Sequence, residues 1–139
     1  MRIVNLDVEK ARLHDGDGVP VVGAPATGRA LLTNGHLGAD LLFVDAGEQF
    51  PVHTHPGDHL LLCLAGVGTI SIDQQTFEVR PGDLYLVPGL VPHAVGAHPD
   101  HAHTLVAIGA PHKPVDAADR MTAVDWDGQP VDEPVLAGG

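Results

Sequence analysis

The run GEQFPVHTHPGDHLLLCLAG, Gly47 to Gly66, decides how this chain folds. Residues two apart on a β-strand share a face, so His53 and His55 point together into whatever their strand lines. The pair Pro56-Gly57 then turns the chain, and His59 opens a second extended run in parity with Leu61 and Cys63. Asp58, one step out of parity, should face away and be exposed. His93 stands 34 residues beyond His59, after another segment punctuated by Gly and Pro, and can return beside the first three from a neighbouring strand. Imidazoles converging from separate strands form a donor set for a metal ion.

Outward from this run, Arg29–Leu32, Ala39–Asp45, Gln49–His53, His59–Ala65, Gly68–Ile72, Gln75–Val79, Leu84–Val87, His93–Gly96 and Thr104–Gly109 all have strand length. Turn residues separate them, and none carries a sustained helical period. Ile70 and Ile72 alternate with Thr69 and Ser71 as a half-buried hairpin strand should. Leu60–Leu64, apolar on both faces, reads as a central strand covered on both sides. Many short strands with polar turns predict an all-β, single-domain jelly-roll barrel over residues 26–112. Residues 1–25 are expected to form an edge strand at Arg2–Leu6 and a crossing loop. Residues 113–139 read as a C-terminal extension with a short helix near Asp116–Met121 and a disordered end from Pro130 to Gly139.

Composition narrows the partners. A chain of 139 residues holds one ordinary domain. A net charge of −11 with only seven Lys plus Arg argues against nucleic acid and against an anionic membrane, since both select cationic surfaces. A small-molecule substrate is expected instead. The single cysteine, Cys63, excludes an intrachain disulfide, and the opening residues lack the apolar core of a signal peptide, so the reading is cytoplasmic.

The spacing carries more information than the histidine count. Gly47, five residues, His53-Thr54-His55, three residues, His59, six residues and Gly66 resembles the first signature motif of the cupin superfamily. Gly82, five residues, Pro88 and then His93, eleven places after the glycine, resembles the second. The 15 residues between Gly66 and Gly82 match the short segment typical of small single-domain cupins. The resemblance implies the double-stranded β-helix version of the jelly roll, one divalent metal ion held by His53, His55, His59 and His93, and a homodimer to which Leu60–Leu64 and Arg2–Leu6 contribute. Three positions depart from the family: His59 stands where a glutamate is usual, Leu90 where the second motif has glycine, and Ala97 where it ends in asparagine.

Imidazole in place of a carboxylate removes a negative charge from the metal's ligands and raises its Lewis acidity. Zinc is the first choice, with manganese or iron as alternatives. Four protein ligands in an octahedron leave two positions, enough to chelate a dicarbonyl or enediol and to stabilise its enolate. Such sites resemble those of zinc-containing polyketide cyclases and of small manganese cupins with oxidative activity. The expectation is therefore a metalloenzyme, first a cyclase catalysing aldol-type closure and dehydration. The alternatives are a manganese or iron dioxygenase or other oxidoreductase, and a non-catalytic metal- or ligand-binding cupin, which normally needs an attached domain that this length does not accommodate. Cys63, Tyr85, Phe43 and Gln49 are candidate substrate contacts, with Cys63 read first as a small apolar filler and Tyr85 equally as a packing residue. His98, His101 and His103 fall outside the motif spacing and read as loop residues, with His103 the one able to edge into the barrel. Trp126 is expected to anchor the C-terminal segment or a partner subunit.

Overall fold

The computed structural model describes residues 1–137. It opens on a helix, α1 (Leu6–His14), where an edge strand was expected at Arg2–Leu6. The helix has a local cause: the Asn5 side chain accepts from the N–H groups of Asp7 and Val8 at 3.0 and 3.1 Å. Asp7 and Glu9 in the first turn and Arg12 and His14 in the last suit the helix dipole. Leu13 seats α1 on the outer face of a sheet, against Leu31, Leu41 and Val106.

Among the described residues eleven strands follow: β1 (Val19–Pro20), β2 (Ala26–Thr33), β3 (Gly38–Val44), β4 (His53–Thr54), β5 (Asp58–Gly66), β6 (Gly68–Ile72), β7 (Gln75–Val79), β8 (Leu84–Val87), β9 (His93–Ala97), β10 (His103–Ala110) and β11 (Thr122–Ala123). They form two antiparallel sheets, one ordered β1-β2-β3-β10-β5-β8 and the other β11-β4-β9-β6-β7. The predicted strands are all present except Gln49–His53, which is reduced to isolated bridges at Gln49 and Pro51 and the two-residue β4.

The inner faces enclose the main core, among them Leu42, Val44, Phe50, Leu61, Ile70, Val87, Val95 and Leu105. Val21 and Val115 belong to the same core, so the barrel draws on residues outside the expected 26–112. The family-type glycines are turn devices: Gly47, Gly66 and Gly82 hold φ at +78°, +73° and +95°. At Gly66 a Cβ would also lie 1.7 Å from the Ala102 carbonyl oxygen.

Three further expectations are corrected. β5 pairs with β10 and with the edge strand β8; Leu62 and Leu64 are packed on the outer face, but Leu60 is 38% exposed, so the strand is covered on both sides only in part. Turns with no helix occupy Asp116–Met121, because the Ala117 N–H donates to the Pro114 carbonyl and the Arg120 N–H to the Ala117 carbonyl. The C-terminal segment docks instead of fraying through Ala137: Pro130 bridges Val124, Leu136 bridges Pro51, and Trp126, Val135 and Ala137 pack on Val52, Ala94 and Val124. The remainder of that tail lies outside the described residues.

Candidate metal centre

β4 and β9 pair with His53 directly opposite His93, which brings the two rings to 4.3 Å between centroids. His55, one residue past β4, completes the set. Its loop is clipped to the Pro88–Leu90 turn, where the Leu90 N–H donates to the His55 carbonyl at 2.9 Å and the Gly89 N–H to Asp58 Oδ1 at 2.7 Å. Asp58 is exposed and faces away from the histidines, as its parity predicted.

The three buried rings share one tautomer. Nδ1–H of His53 donates to the Pro51 carbonyl, that of His55 to Gly57, and that of His93 to Val91, each at 2.8 Å. A carbonyl can only accept, so the proton sits on Nδ1 and the lone pair is left on Nε2. Ligand atoms of all three lie within 4.8 Å of one another, and Nε2 of His55 and Nε2 of His93 are 3.1 Å apart. Two lone pairs so placed repel unless a cation stands between them, and fixing the outer nitrogen to a carbonyl is how proteins aim a metal-binding imidazole. Burial keeps the rings neutral: it lowers His53 to about 4 and takes His93 well below its ordinary value, with the neighbouring rings adding to the effect, and it lowers His55 as well. Geometry, tautomer and charge state all suit a divalent ion.

His59 stands beside this set without joining it. Its ring stacks on His55 at 3.7 Å with planes 14° from parallel. A ligating nitrogen holds its metal in the ring plane at about 2 Å, and planes this close to parallel do not meet at such a point. His59 becomes a fourth ligand only by turning about its side-chain torsions. It lies over Gly109, where a Cβ would come within 2.7 Å of the ring. Burial first, then the charges of His55 and Arg120, lower His59 to about 3.

A cavity of about 30 Å³ opens on the rings, floored by apolar residues such as Phe50, Leu61 and Val95 and roofed by Arg120 and Met121. Beside it a cavity of about 10 Å³ is bounded by Asp40, His55, His59, His112 and Arg120. The roof belongs to the strap Pro111–Met121, which crosses the barrel mouth between β10 and β11. Asp40 Oδ2 accepts from Arg120 Nη1 at 3.1 Å and lies 2.9 Å from His112 Nε2. Sequence reasoning missed these three residues. One signal was available: Asp40 shares parity with Leu42 and Val44, and an acid on an inward apolar face needs a buried partner.

None of the candidate substrate contacts lines either cavity. Phe43 faces outward, edge-on to the His14 ring at 4.9 Å. Gln49 covers Gly96 on the outside of its sheet and donates to the Ala97 carbonyl at 3.1 Å. Cys63 and Tyr85 face inward but sit deeper in the core. His103 does enter the barrel, at the opposite end, with Nδ1 3.6 Å from Cys63 Sγ. His98 and His101 remain in a loop.

A family model described as a cupin domain matches residues 41–113, just over half of the chain. No curated protein matches the sequence. Among solved structures, the polyketide cyclase RemF from Streptomyces resistomycificus is similar over 82% of each chain at 21% identity and a TM-score of 0.65. A Bacillus halodurans protein is similar over 84% of this chain and 85% of its own, at 24% identity and a TM-score of 0.64. A putative ethanolamine utilization protein from Salmonella typhimurium shares 17% identity over 69% of this chain and 80% of its own, with a TM-score of 0.61. At these identities the likeness establishes the fold.

Proposed function

The chain belongs to the cupin family, and from that premise we propose that it is a metal-dependent enzyme acting on a small oxygenated organic molecule by Lewis-acid chemistry. The observation that carries this reading is the shared tautomer of His53, His55 and His93, which leaves three Nε2 lone pairs converging in a buried pocket. A divalent ion held there, zinc by first choice and manganese or iron otherwise, supplies Lewis acidity toward a carbonyl or enediol oxygen. The apolar floor of Phe50, Leu61 and Val95 excludes water, and a dry site strengthens every electrostatic contact made with a developing enolate. His59 turned off its stack would add a fourth imidazole to the set that holds the ion.

Aldol-type cyclisation with dehydration, as in a polyketide cyclase, is the first candidate reaction. The cavity of about 30 Å³ is close to one water's share of liquid volume, far below the several hundred Å³ of ordinary ligand pockets. A polycyclic substrate therefore enters only with the Arg120–Met121 roof lifted.

The stack of His59 on His55 favours a second reading. Three imidazoles without a fourth would suit an iron or manganese ion that supplies oxidoreductase chemistry. Metal analysis of protein purified without added metal separates the two. About one zinc per chain and no substrate-dependent oxygen uptake is the expected result. Iron or manganese with oxygen uptake overturns it in favour of the oxidoreductase, and absence of any bound metal sinks both. Unchanged metal content and affinity in His59→Ala would remove His59 from the ligand set.

A further inference from the structure

Arg120 is a buried cation whose hydrogen-bonding capacity is only partly spent. Its side chain is 8% exposed and borders both cavities beside the histidines. Nη1 alone is engaged, donating to Asp40 Oδ2 at 3.1 Å and to the Lys113 carbonyl at 2.9 Å. Among the described residues Nε and Nη2 have no partner, and both atoms keep some accessible surface.

The carboxylate that holds Arg120 is also incompletely used. Asp40 is 1% exposed; its Oδ2 takes both Arg120 and His112, while Oδ1 is buried without a partner. Two contacts on one oxygen orient the guanidinium from a single side. The Lys113 carbonyl adds a second fixed point on Nη1, so the guanidinium is held with its other N–H donors unspent, on a residue that borders the cavity the metal ligands share. The charge balance there is distinctive in a chain of net charge −11. Asp40 offsets one positive charge, and Arg120 together with a divalent ion would leave the pocket cationic. Such a pocket selects an anion, and a guanidinium edge with parallel N–H groups fits a carboxylate.

We propose that the substrate of this site carries a carboxylate, which Arg120 grips while the substrate's carbonyl or enol oxygen faces the histidines. The inference rests on the metal-enzyme reading and narrows its substrate class to small oxo- or hydroxy-carboxylates. Arg120 is the specificity-determining residue, and Asp40 and His112 are positioning residues that act through it.

Malonate and its neutral isostere malonamide test this by calorimetric titration of metal-loaded protein, with metal content measured on the same samples. Wild type should bind malonate more tightly than malonamide, and Arg120→Gln should reduce that preference by about tenfold with metal content unchanged, the scale of one charge-assisted hydrogen bond. Arg120→Lys, which keeps the charge but loses the planar edge, should fall between. If Arg120→Gln does not fold, the double variant Asp40→Asn/Arg120→Gln removes both charges and should show the same loss. Retention of the wild-type preference in whichever variant folds, or no preference in wild type, overturns the proposal. If wild type holds no metal, the enzyme reading fails separately. Malonate should then still raise the melting temperature of the metal-free wild type and leave the Arg120 variant unmoved; an equal shift in both would reject Arg120 as well.

Discussion

Nε2 of His55 and Nε2 of His93 face each other at 3.1 Å, each ring having its other nitrogen tied to a carbonyl. Neither can donate to the other, so the contact is repulsive until a cation divides it. Added zinc should therefore raise the melting temperature, by an amount equivalent to about 2.7 kcal/mol at a hundredfold excess over its Kd. His93→Ala should abolish that response along with the bound metal. The His93→Ala protein should itself be less stable than wild type without metal, because the variant leaves a cavity and frees the Val91 carbonyl, with relief of the opposed lone pairs offsetting part of that loss. Calorimetric scans of both proteins with and without zinc check this, and an equal zinc response in both would reject the centre.

The same burial sets the acid response. His53 is lowered to about 4 and His59 to about 3, and His55 and His93 are lowered too, mainly because burial penalises the charged ring. In the unfolded chain these rings titrate near 6.5. Between the two values the unfolded state binds more protons, so the stability of the metal-free protein is full above about pH 6.5 and falls as pH drops toward the folded values. Each ring contributes at most about 1.4 kcal/mol per pH unit in that window. Protons also compete with the metal for the same nitrogens, so metal release should follow in the same direction. Denaturant midpoints at pH 7.5, 6 and 5 measure it; a midpoint constant across that range would contradict these environments.

Much of this was legible because strand periodicity and turn chemistry are local. Gly68–Ile72, Gln75–Val79 and Leu84–Val87 alternate or terminate at Gly and Pro, and the structure keeps those boundaries. The pairing of His53 with His55 followed from parity, and the addition of His93 from the motif spacing. Helix α1 was missed because its apolar residues do not recur at helical spacing and only Leu13 is buried. Its cap was nonetheless present in Asn5 and the acidic first turn. The Asp40–His112–Arg120 cluster was out of reach for another reason: its members come from a strand and a distant strap, and only the packed fold sets Arg120 80 residues from its partner. The orientation of His59 likewise depends on Gly109, which a sequence reading has no means of placing under that ring.

Leu90 occupies the position where the family carries glycine, and its φ is +65°. A side chain there costs about 1–2 kcal/mol, and Leu90 is 70% exposed, so burial returns little. Glycine loses about 0.5–1 kcal/mol through the entropy of the unfolded chain. Leu90→Gly should therefore stabilise the protein by up to about 1 kcal/mol, seen as a higher midpoint in urea. Because the Leu90 N–H holds the His55 carbonyl, metal affinity should be maintained. A lower midpoint would mean that the Leu90 side chain is covered in solution.

Oligomeric state follows from the outer face of the β5–β8 edge. Leu60 pairs with Leu86 and Leu62 with Leu84 across the two strands, and Leu60, Leu84 and Leu86 are 38%, 61% and 59% exposed. β8 also ends its sheet, leaving backbone groups open for pairing. A second copy placed by a twofold axis would cover the leucines of both chains at once, and each fully buried Leu contributes about 1.5–3 kcal/mol. We propose a homodimer through this face; Arg2–Leu6, which forms no strand, adds no edge to it. Light scattering at micromolar concentration should give twice the chain mass, and Leu84→Asp/Leu86→Lys should halve it while leaving the metal content intact. A monomeric wild type would reject the interface. A dimer that survives the double substitution would move it to another surface.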